Sequence, residues 1–294
     1  MLRENMSRRD FLVTGSAAAA TVGLLGWTTC ARAKRIPVAV QLYSVRTECE
    51  KDFPATIKAV ADIGFEGVEF AGYFNFQASD LRRLLDDNGL KCAGTHTQLN
   101  TLVGDELPKT LEYNHTLGNK NIIVPWLAEN MRDSKDAWLR TVDLFNELTQ
   151  KVKPHGMRMG YHNHTFEFQP MDDGEPRGIA NIQRGELPWD IIFSNTPRDF
   201  IMQIDTCNAM MGGADPLLFL KKYPGRTISI HLKEFSATNK NAILGEGDVD
   251  WQQVFEICET TGGTEWYIIE EEKDVYPPLQ GVEMCLKNFK KLKA

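Results

Sequence analysis

The sequence has few cysteines, no excess of basic residues and only one long apolar run. One of its six cysteines lies near the N-terminus, and the others are scattered and odd in number: Cys49, Cys92, Cys207, Cys258 and Cys285. This spacing excludes a CxxC zinc knuckle and predicts no disulfide framework. The formal net charge of −7 argues against a nucleic-acid partner, because a phosphate backbone is attracted by a basic surface.

Phosphate-binding signatures are missing as well. No GxGxxG motif follows the first β-rich run, which argues against a dinucleotide-binding domain. The loops after the last predicted strands hold neither a glycine-rich phosphate cradle nor a cluster of arginine and lysine. These loops therefore do not predict a phosphorylated ligand.

Residues 1–33 carry the features of an export leader. A twin arginine, Arg8 and Arg9, precedes an apolar run that ends at Trp27, and an Ala-x-Ala sequence ends at Ala33. Paired arginines fit the Tat route, which exports folded proteins. The segment predicts a Tat-type signal peptide cleaved after Ala33 and a periplasmic location for the mature protein.

Two other interpretations of this leader remain open. An uncleaved membrane anchor needs about 20 apolar residues, and this run is shorter. Cys30 would suit a lipoprotein, although the preceding Trp27-Thr28-Thr29 matches a lipobox poorly. We expect a soluble exported protein without stable membrane insertion after cleavage. The net charge of the mature protein is about −9, because cleavage of the leader removes four arginines and two acidic residues.

Eight short apolar, β-rich runs alternate with amphipathic helical stretches over most of the mature chain. The runs span residues 38–45, 67–72, 91–97, 121–126, 158–164, 200–206, 227–233 and 265–271. Between them lie segments such as AWLRTVDLFNELTQKVKPHG, whose apolar residues recur with a helical period. This alternation predicts parallel βα units.

Glycines mark where the predicted helices end. Each of the following lies a few residues before a β-rich run: Gly64, Gly89, Gly118, Gly156, Gly225, and Gly262 or Gly263. These are the positions at which a left-handed residue closes a helix. Short helix-to-strand turns leave the longer loops on the opposite face, and eight such units predict a single (β/α)8 TIM-barrel domain, residues 34–294. A doubly wound open sheet is the alternative.

Ionisable residues follow the apolar part of several predicted strands. Asp205 follows FIMQI, His231 follows TISI and Glu270 follows WYII, so a barrel would bring their side chains together at its mouth. Carboxylate and imidazole groups together suit one divalent ion, such as Mn, Co, Zn or Mg. The alternative is a rim of hydrogen-bonded polar residues that caps the barrel.

Several sequence blocks resemble one family. QLYSVR (41–46), YHNHTFEF (161–168), IDTCNAMMGGADP (204–216), HLKEF (231–235), GEGDVDW (245–251) and IIEEE (268–272) occur in that family's order. The family is that of xylose-isomerase-like barrels named sugar phosphate isomerases/epimerases, related to inosose dehydratases, tagatose epimerases, 3-keto-glycoside lyases and endonuclease IV. The resemblance covers about residue 38 to the C-terminus and implies a divalent-metal site. An endonuclease activity fits poorly, because the chain is acidic and lacks that enzyme's additional histidine-rich loops.

The resemblance implies which residues bind the metal. Asp205, His231 and Glu270 match family ligands on strands six, seven and eight, but the glutamate usual on strand five is absent. His162 is the predicted replacement, and Glu167 is the alternative. His164, two residues beyond His162 and on the same face of a strand, is predicted to act on the substrate, or else to orient a ligand.

Further residues are predicted to bind or activate a sugar. Lys233 would neutralise an oxyanion or donate a proton if burial lowered its pKa, the alternative being a solvent-facing lysine paired with Glu234. The predicted substrate-binding or supporting residues are Glu69 and His96, and the predicted sugar-stacking aromatics are Tyr43, Trp126 and Trp251. Glu167 would bind substrate if it is not a ligand, and Glu270 is expected to take part in catalysis as well as binding metal.

These residues predict metal-assisted enolisation of a keto sugar. With a leaving group beside the enolised carbon, the reaction becomes a β-elimination that cleaves a 3-keto-glycoside, and the enzyme is a carbohydrate lyase. Without one, the enzyme is a keto-sugar epimerase or isomerase. A non-catalytic exported sugar-binding barrel is the third possibility. The partner is a small-molecule sugar in each case, and a homo-oligomer is possible.

Overall fold

Eight parallel strands and ten α-helices alternate in the computed structural model, which describes residues 35–171 and 187–294. The strands are β1 Val38–Gln41, β2 Gly67–Phe70, β3 Lys91–His96, β4 Asn121–Val124, β5 Arg158–His162, β6 Ile201–Gln203, β7 Ser229–Leu232 and β8 Trp266–Ile269. The helices are α1 Arg46–Lys51, α2 Phe53–Ile63, α3 Ala78–Asp87, α4 Glu106–Leu117, α5 Lys135–Val152, α6 Pro188–Asn195, α7 Thr206–Met211, α8 Pro216–Lys222, α9 Trp251–Thr260 and α10 Pro278–Leu292. The leader predicted at 1–33 lies outside the described residues.

The sheet forms a nearly closed (β/α)8 TIM barrel, as the alternation predicts. Its strands follow the order β6-β5-β4-β3-β2-β1-β8-β7. The gap between β6 and β7 is closed by a single parallel bridge between Asp205 and His231. The His231 amide donates to the Ile204 carbonyl at 3.0 Å beside this bridge. Within the described ranges, no helix is long and apolar enough to cross a membrane.

Successive residues along a strand pack alternately into two different layers. Val40, Val68 and Ile122 belong to the large buried cluster that packs the barrel against its helices. Ala39 and Ala93 point the other way and fill the barrel interior together with Ile268. This alternation is the period of two expected of a strand. The larger apolar layer therefore lies outside the barrel wall.

Glycine and aspartate set the helix ends that position the strands. Gly64 and Gly118 have φ of 104° and 80°, as predicted for left-handed residues that close a helix. Asp52 caps the start of α2 by accepting a hydrogen bond from the Ala55 amide at 3.0 Å. Asp205 does the same for α7, so its position depends on both a strand and a helix.

Several strands are shorter than the β-rich runs that predict them. β1 ends at Gln41, because the Gln41 side chain accepts from the Tyr43 amide and starts a 3-10 helix, Leu42–Val45. β5 ends at His162 and is followed by the 3-10 helix Phe166–Phe168. Polar side chains that bond to nearby amides compete with the sheet at these points. The chain therefore leaves the sheet early at both strands, and Tyr43 and His164 lie beyond the strand ends.

Candidate active site

A cavity of about 440 Å³ lies at the carboxyl ends of the strands. Residues at or after the ends of all eight strands line it, among them Tyr43, His96, Trp126, His162, His164, Lys233 and Glu270. The volume is that of a small-molecule site. Each of these seven residues was predicted from the sequence as a site residue, and the fold brings them together.

Four predicted metal ligands lie together beside the cavity. One donor atom from each of His162, Asp205, His231 and Glu270 lies within 4.8 Å of the others, and all four side chains are buried. The chain order places one of them on or directly after each of β5, β6, β7 and β8. Glu167, the alternative fourth ligand, is not in this group.

Asp205 is a predicted ligand whose hydrogen bonding is incomplete. Its Oδ1 accepts from the Asn208 amide at 2.7 Å, and its own amide donates to Asn163 Oδ1 at 2.7 Å. Its Oδ2 is buried without a hydrogen-bond partner among the described residues. A buried carboxylate oxygen without a partner is costly, so a cation is the natural complement of this atom.

His231 bridges two carboxylates. Its Nδ1 lies 2.7 Å from Glu270 Oε2, and its Nε2 lies 2.6 Å from Glu69 Oε2. Burial alone would lower the pKa of His231, but Glu69 and Glu270 raise it to about 10. The ring is therefore a buried imidazolium when both carboxylates are its only partners.

Asp205 and Glu270, whose carboxylates both lie close to His231, differ in acidity. Burial raises the pKa of Asp205 to about 6, against the opposing effect of Lys233. Burial acts in the same direction on Glu270, but Lys233 and His231 hold its pKa well below the ordinary value. The Asp205 and Glu270 carboxylates repel each other, and this repulsion contributes to the raised pKa of Asp205.

The donor set fits a divalent cation. Asp205, Glu270, Glu69 and Glu272 supply four carboxylates, against which Lys233 and a protonated His231 are the cations. His231 would bind a metal only after one ring nitrogen loses its proton. Mixed imidazole and carboxylate donors are typical of Zn and Mn sites. The unpartnered Asp205 Oδ2 and the excess of carboxylate identify His162, Asp205, His231 and Glu270 as the residues that could hold such an ion.

Glu69 lies beneath the cavity rather than in it. Its Oε2 accepts from Gln41 Nε2 at 2.7 Å and from His231 Nε2, and lies 3.1 Å from His96 Nε2. Burial alone would raise the pKa of Glu69, but the facing His96 and His231 rings hold it well below the ordinary value. The carboxylate is therefore ionised and acts as an acceptor only.

Gln203 connects the remaining groups. Its Nε2 donates to Glu69 Oε1 at 2.7 Å and to Ser229 Oγ at 2.8 Å. Its Oε1 lies 2.8 Å from His96 Nε2 and 3.1 Å from His162 Nδ1. Gly94 leaves room for this network, since a Cβ there would lie 2.8 Å from Glu69 Oε1.

His164 and Lys233 line the cavity beside the cluster. Burial lowers the pKa of His164 to about 4, so its ring is neutral at neutral pH, and its Nδ1 has no hydrogen-bond partner in the described chain. Lys233 pairs with Glu272 and lies 3.8 Å from Glu270 Oε1. Burial opposes its charge, but these carboxylates and Asp205 raise the pKa of Lys233 above its ordinary value. The lowered lysine pKa considered from the sequence does not hold, and Lys233 remains a cation.

A family profile described as xylose isomerase-like TIM barrel matches residues 57–292. The chain belongs to the xylose isomerase-like TIM barrel family. The inosose dehydratase of Clostridium beijerinckii is 22% identical over 263 residues, which cover 76% of this chain and 84% of that protein.

Solved structures share the fold. A sugar phosphate isomerase/epimerase from Parabacteroides distasonis superposes with a TM-score of 0.70 at 24% identity, covering 88% of this chain and 99% of that one. The IOLI protein, solved with a bound zinc atom, gives a TM-score of 0.65 at 13% identity and covers 87% of this chain and 98% of its own. This xylose isomerase-like barrel is thus related to sugar-modifying enzymes.

Three predicted substrate-binding residues of this family member lie outside the cavity. Glu69 is sealed beneath His96 and His231. Glu167 is buried behind β5, where it accepts from Tyr161 Oη at 2.5 Å and from the His164 amide at 2.9 Å, because the 3-10 turn after the strand directs it toward the helix layer.

Trp251 is the third of these residues. It begins α9 in the core, and its indole N–H donates to Glu234 Oε2 at 2.8 Å. The Glu234 carboxylate also accepts from the Gly245 amide at 2.7 Å. Lys233 therefore does not pair with Glu234, whose carboxylate holds the loop before α9. Tyr43 and Trp126 do line the cavity and are 43% and 44% exposed.

Sequence reasoning from ionisable groups missed Gln203 and Gln41. Both are fully buried amides in otherwise apolar strands, and both donate to Glu69. A signal was present, since Gln203 precedes Asp205 by two residues and so lies on the same face of the strand. In this family fold that face points into the barrel.

Proposed function

We propose that this protein is a divalent-metal-dependent carbohydrate lyase that cleaves 3-keto-glycosides by enolisation and β-elimination. The observation that carries the proposal is the buried, unpartnered Asp205 Oδ2 within the cluster of His162, His231 and Glu270. This cluster adjoins a sugar-sized cavity that also holds a neutral imidazole and a lysine cation. Such a set suits the removal of an acidic C–H and the stabilisation of the resulting enolate.

The relatives' names support this class of reaction. A dehydratase that acts on an inosose removes water from a keto-sugar alcohol, and elimination next to a ketone begins with loss of the acidic C–H beside it. Cleavage of a 3-keto-glycoside is the same elimination with an alcohol in place of water. The zinc atom of the IOLI protein supports a metal in the equivalent barrel.

His162, Asp205, His231 and Glu270 would hold the ion. When bound, the ion supplies Lewis-acid polarisation of the sugar's carbonyl oxygen. Lys233 adds a fixed positive charge beside the cluster, and its protonation is maintained by Glu270, Asp205 and Glu272. An enolate formed at this place would therefore be stabilised by the protein's own cation as well.

His164 is the proposed base. Its neutral ring takes the proton from C2 of the sugar, and the electron pair of the broken C–H bond becomes the C2–C3 double bond of the enolate. The enolate then re-forms the C3 carbonyl, C1 and C2 become doubly bonded, and the C1–O bond breaks. The aglycone oxygen takes a proton from the His164 imidazolium and leaves as an alcohol, which restores the neutral ring.

A neutral sugar fits the cavity better than a phosphorylated one. Lys233 is the only lysine or arginine lining it within the described ranges, and Lys233 is already paired with Glu272. A phosphate group would face the carboxylates of Glu270 and Glu272 without a cation of its own. Export by the leader at 1–33 would place the enzyme in the periplasm, where neutral glycosides are the expected substrates.

A keto-sugar epimerase or isomerase is the second candidate. His164 lines the cavity as a neutral base, and a single base that takes a proton from one sugar carbon could return it to the neighbouring carbon. Incubation of Zn²⁺- or Mn²⁺-loaded protein with each anomer of an aryl 3-keto-glucoside separates the candidates. Release of the phenol with an unsaturated keto sugar supports the lyase, and exchange of the C2 hydrogen with solvent without cleavage supports the epimerase. Binding with neither reaction supports a non-catalytic barrel.

A further inference from the structure

Two histidines of the site share one acceptor. Gln203 Oε1 lies 2.8 Å from His96 Nε2 and 3.1 Å from His162 Nδ1, and the Gln203 side chain is fully buried. The rings themselves lie 4.9 Å apart between centroids. A single carbonyl oxygen offers two lone pairs, so it can accept from both rings at once.

The orientation of the Gln203 amide is decided by Glu69. The ionised carboxylate of Glu69 only accepts, so the atom 2.7 Å from its Oε1 must be the amide nitrogen. The second proton of that nitrogen goes to Ser229 Oγ at 2.8 Å. The amide oxygen therefore faces the two histidines, because an inverted amide would place its oxygen against the Glu69 carboxylate oxygen with no proton between the two acceptors.

An acceptor oxygen determines which ring nitrogen carries the proton. Since Gln203 Oε1 cannot donate, a neutral His162 ring must carry its proton on Nδ1 and keep the lone pair on Nε2. The same reasoning places the proton of a neutral His96 ring on Nε2. A histidine binds a metal through the nitrogen that carries the lone pair, and the hydrogen bond of the other nitrogen sets the tautomer.

We propose that Gln203 is a positioning residue that fixes His162 as the Nδ1–H tautomer and so presents Nε2 to a divalent metal beside Asp205, His231 and Glu270. The proposal rests on the proposed function for the role of the metal, but the tautomer follows from the hydrogen bonds alone. Glu69 completes the arrangement from below, because it orients the Gln203 amide and also bonds His231 Nε2. The Glu69 carboxylate thus orients two of the four predicted ligands. It acts on His231 directly and on His162 through Gln203.

The tautomers can be read directly from the metal-free protein. Histidine-selective ¹⁵N labelling and long-range ¹H–¹⁵N correlation, with each ring assigned by substitution, distinguish protonated from bare ring nitrogens. The expected result is a protonated Nδ1 and a bare Nε2 for His162, with the reverse for His96. A wild-type His162 ring protonated on Nε2 would overturn the proposal without any variant having to fold.

Substitution tests whether Gln203 is the cause. Gln203→Met keeps the length of the side chain but removes the acceptor, so His162 should lose the single Nδ1–H form and the Kd for Zn²⁺ should rise by ~10–100-fold, the scale of losing a ligand's outer partner. Gln203→Glu retains an oxygen toward both rings and can donate to Glu69 when protonated, so it should restore the tautomer.

Gln41→Met is the matched control. It also removes a buried amide that donates to Glu69, but within the described residues the Gln41 side chain bonds to Glu69 and the Tyr43 amide rather than to His96 or His162, so His162 should keep its Nδ1–H form. An unchanged tautomer in Gln203→Met, or a changed tautomer with unaltered Zn²⁺ affinity, would contradict the positioning role. A wild-type protein that binds no Zn²⁺ would refute the proposed function, while the tautomer measurement would still decide whether Gln203 orients His162.

Discussion

Asp205 and His231 close the barrel and bring two predicted metal ligands together in the same step. Their backbones form the bridge between β6 and β7, and Asp205 Oδ2 lies 3.9 Å from His231 Nδ1. The contact that completes the fold therefore fixes part of the candidate site. Because Asp205 also caps α7, its side chain has one oxygen bound to the helix and one left for a ligand.

Asp205→Asn should separate these two roles. An asparagine oxygen still accepts from the Asn208 amide, so the cap and the fold should persist. The charged oxygen is lost, so the Kd for Zn²⁺ should rise by at least ~10²-fold, above the range typical of losing only an outer partner. Calorimetric titration with Zn²⁺ and a thermal melt of the metal-free protein measure the two effects. Unchanged Zn²⁺ affinity would remove Asp205 from the ligand set.

His162 and His164 should fail in different ways when each is replaced by alanine. His162→Ala should weaken metal binding and recover part of its activity at high metal concentration, because three predicted ligands remain. His164→Ala should retain its metal but lose turnover by ~10²-fold or more, as expected on deleting a general base. Metal content and kcat are measured on both variants. Full metal content in His162→Ala together with loss of metal in Glu167→Ala would instead make Glu167 the ligand.

Glu167 should make the stability of the protein depend on pH. Burial raises the pKa of Glu167 from 4.5 to about 7, against the hydrogen bonds from Tyr161 and His164 and the charge of Arg132. A carboxyl group whose pKa is higher in the folded state binds more protons when folded between those two values. Stability from this group is therefore present at low pH and falls as pH rises from about 4.5 to 7, by about 2 kcal/mol.

Glu167→Gln isolates that effect. Glutamine can accept from the His164 amide and donate to Tyr161 Oη, and it does not titrate. Denaturant unfolding of wild type and variant at pH 5 and pH 8 measures the difference. The wild type should lose about 2 kcal/mol relative to the variant between those values, and parallel behaviour of the two proteins would show that the folded carboxyl is not perturbed.

Substitution of Trp126 should affect KM, whereas substitution of Trp251 should affect stability. Trp251→Phe removes a buried donor to Glu234 and should cost about 2 kcal/mol of stability without changing KM, because the ring lies outside the cavity. Trp126→Ala should raise KM for a 3-keto-glycoside by about 5-fold, the scale of one aromatic contact, with a small effect on stability. Thermal melts and steady-state kinetics check both. A raised KM in Trp251→Phe would return this residue to the sugar-binding wall.

The fold and three residues of the cluster, Asp205, His231 and Glu270, were predictable because each depends on a short-range pattern. His162 was predicted as the fourth member from the family resemblance, with Glu167 as the alternative. Strand and helix alternation indicates the barrel, and an ionisable residue directly after an apolar strand indicates the mouth. Glu69 lies within β2 and beneath the cavity, whereas the positions of Glu167 and Trp251 depend on where loops turn after a strand, and a 3-10 turn directs Glu167 to the outside of β5. Gln203 was missed because an uncharged amide in a strand does not reveal its partners, which lie on four other strands, β2, β3, β5 and β7.

Loss of the C2 hydrogen from a 3-keto-glycoside tests the central claim most directly. A substrate deuterated at C2 is incubated with protein that has been stripped by chelator, then reloaded with Zn²⁺ or Mn²⁺, with His164→Ala as the control. We expect deuterium to be lost to solvent together with release of the aglycone, only after reloading and not in the control. Retention of deuterium and of the glycosidic bond by fully metal-loaded protein, or equal activity in stripped and loaded protein, would contradict metal-dependent enolisation.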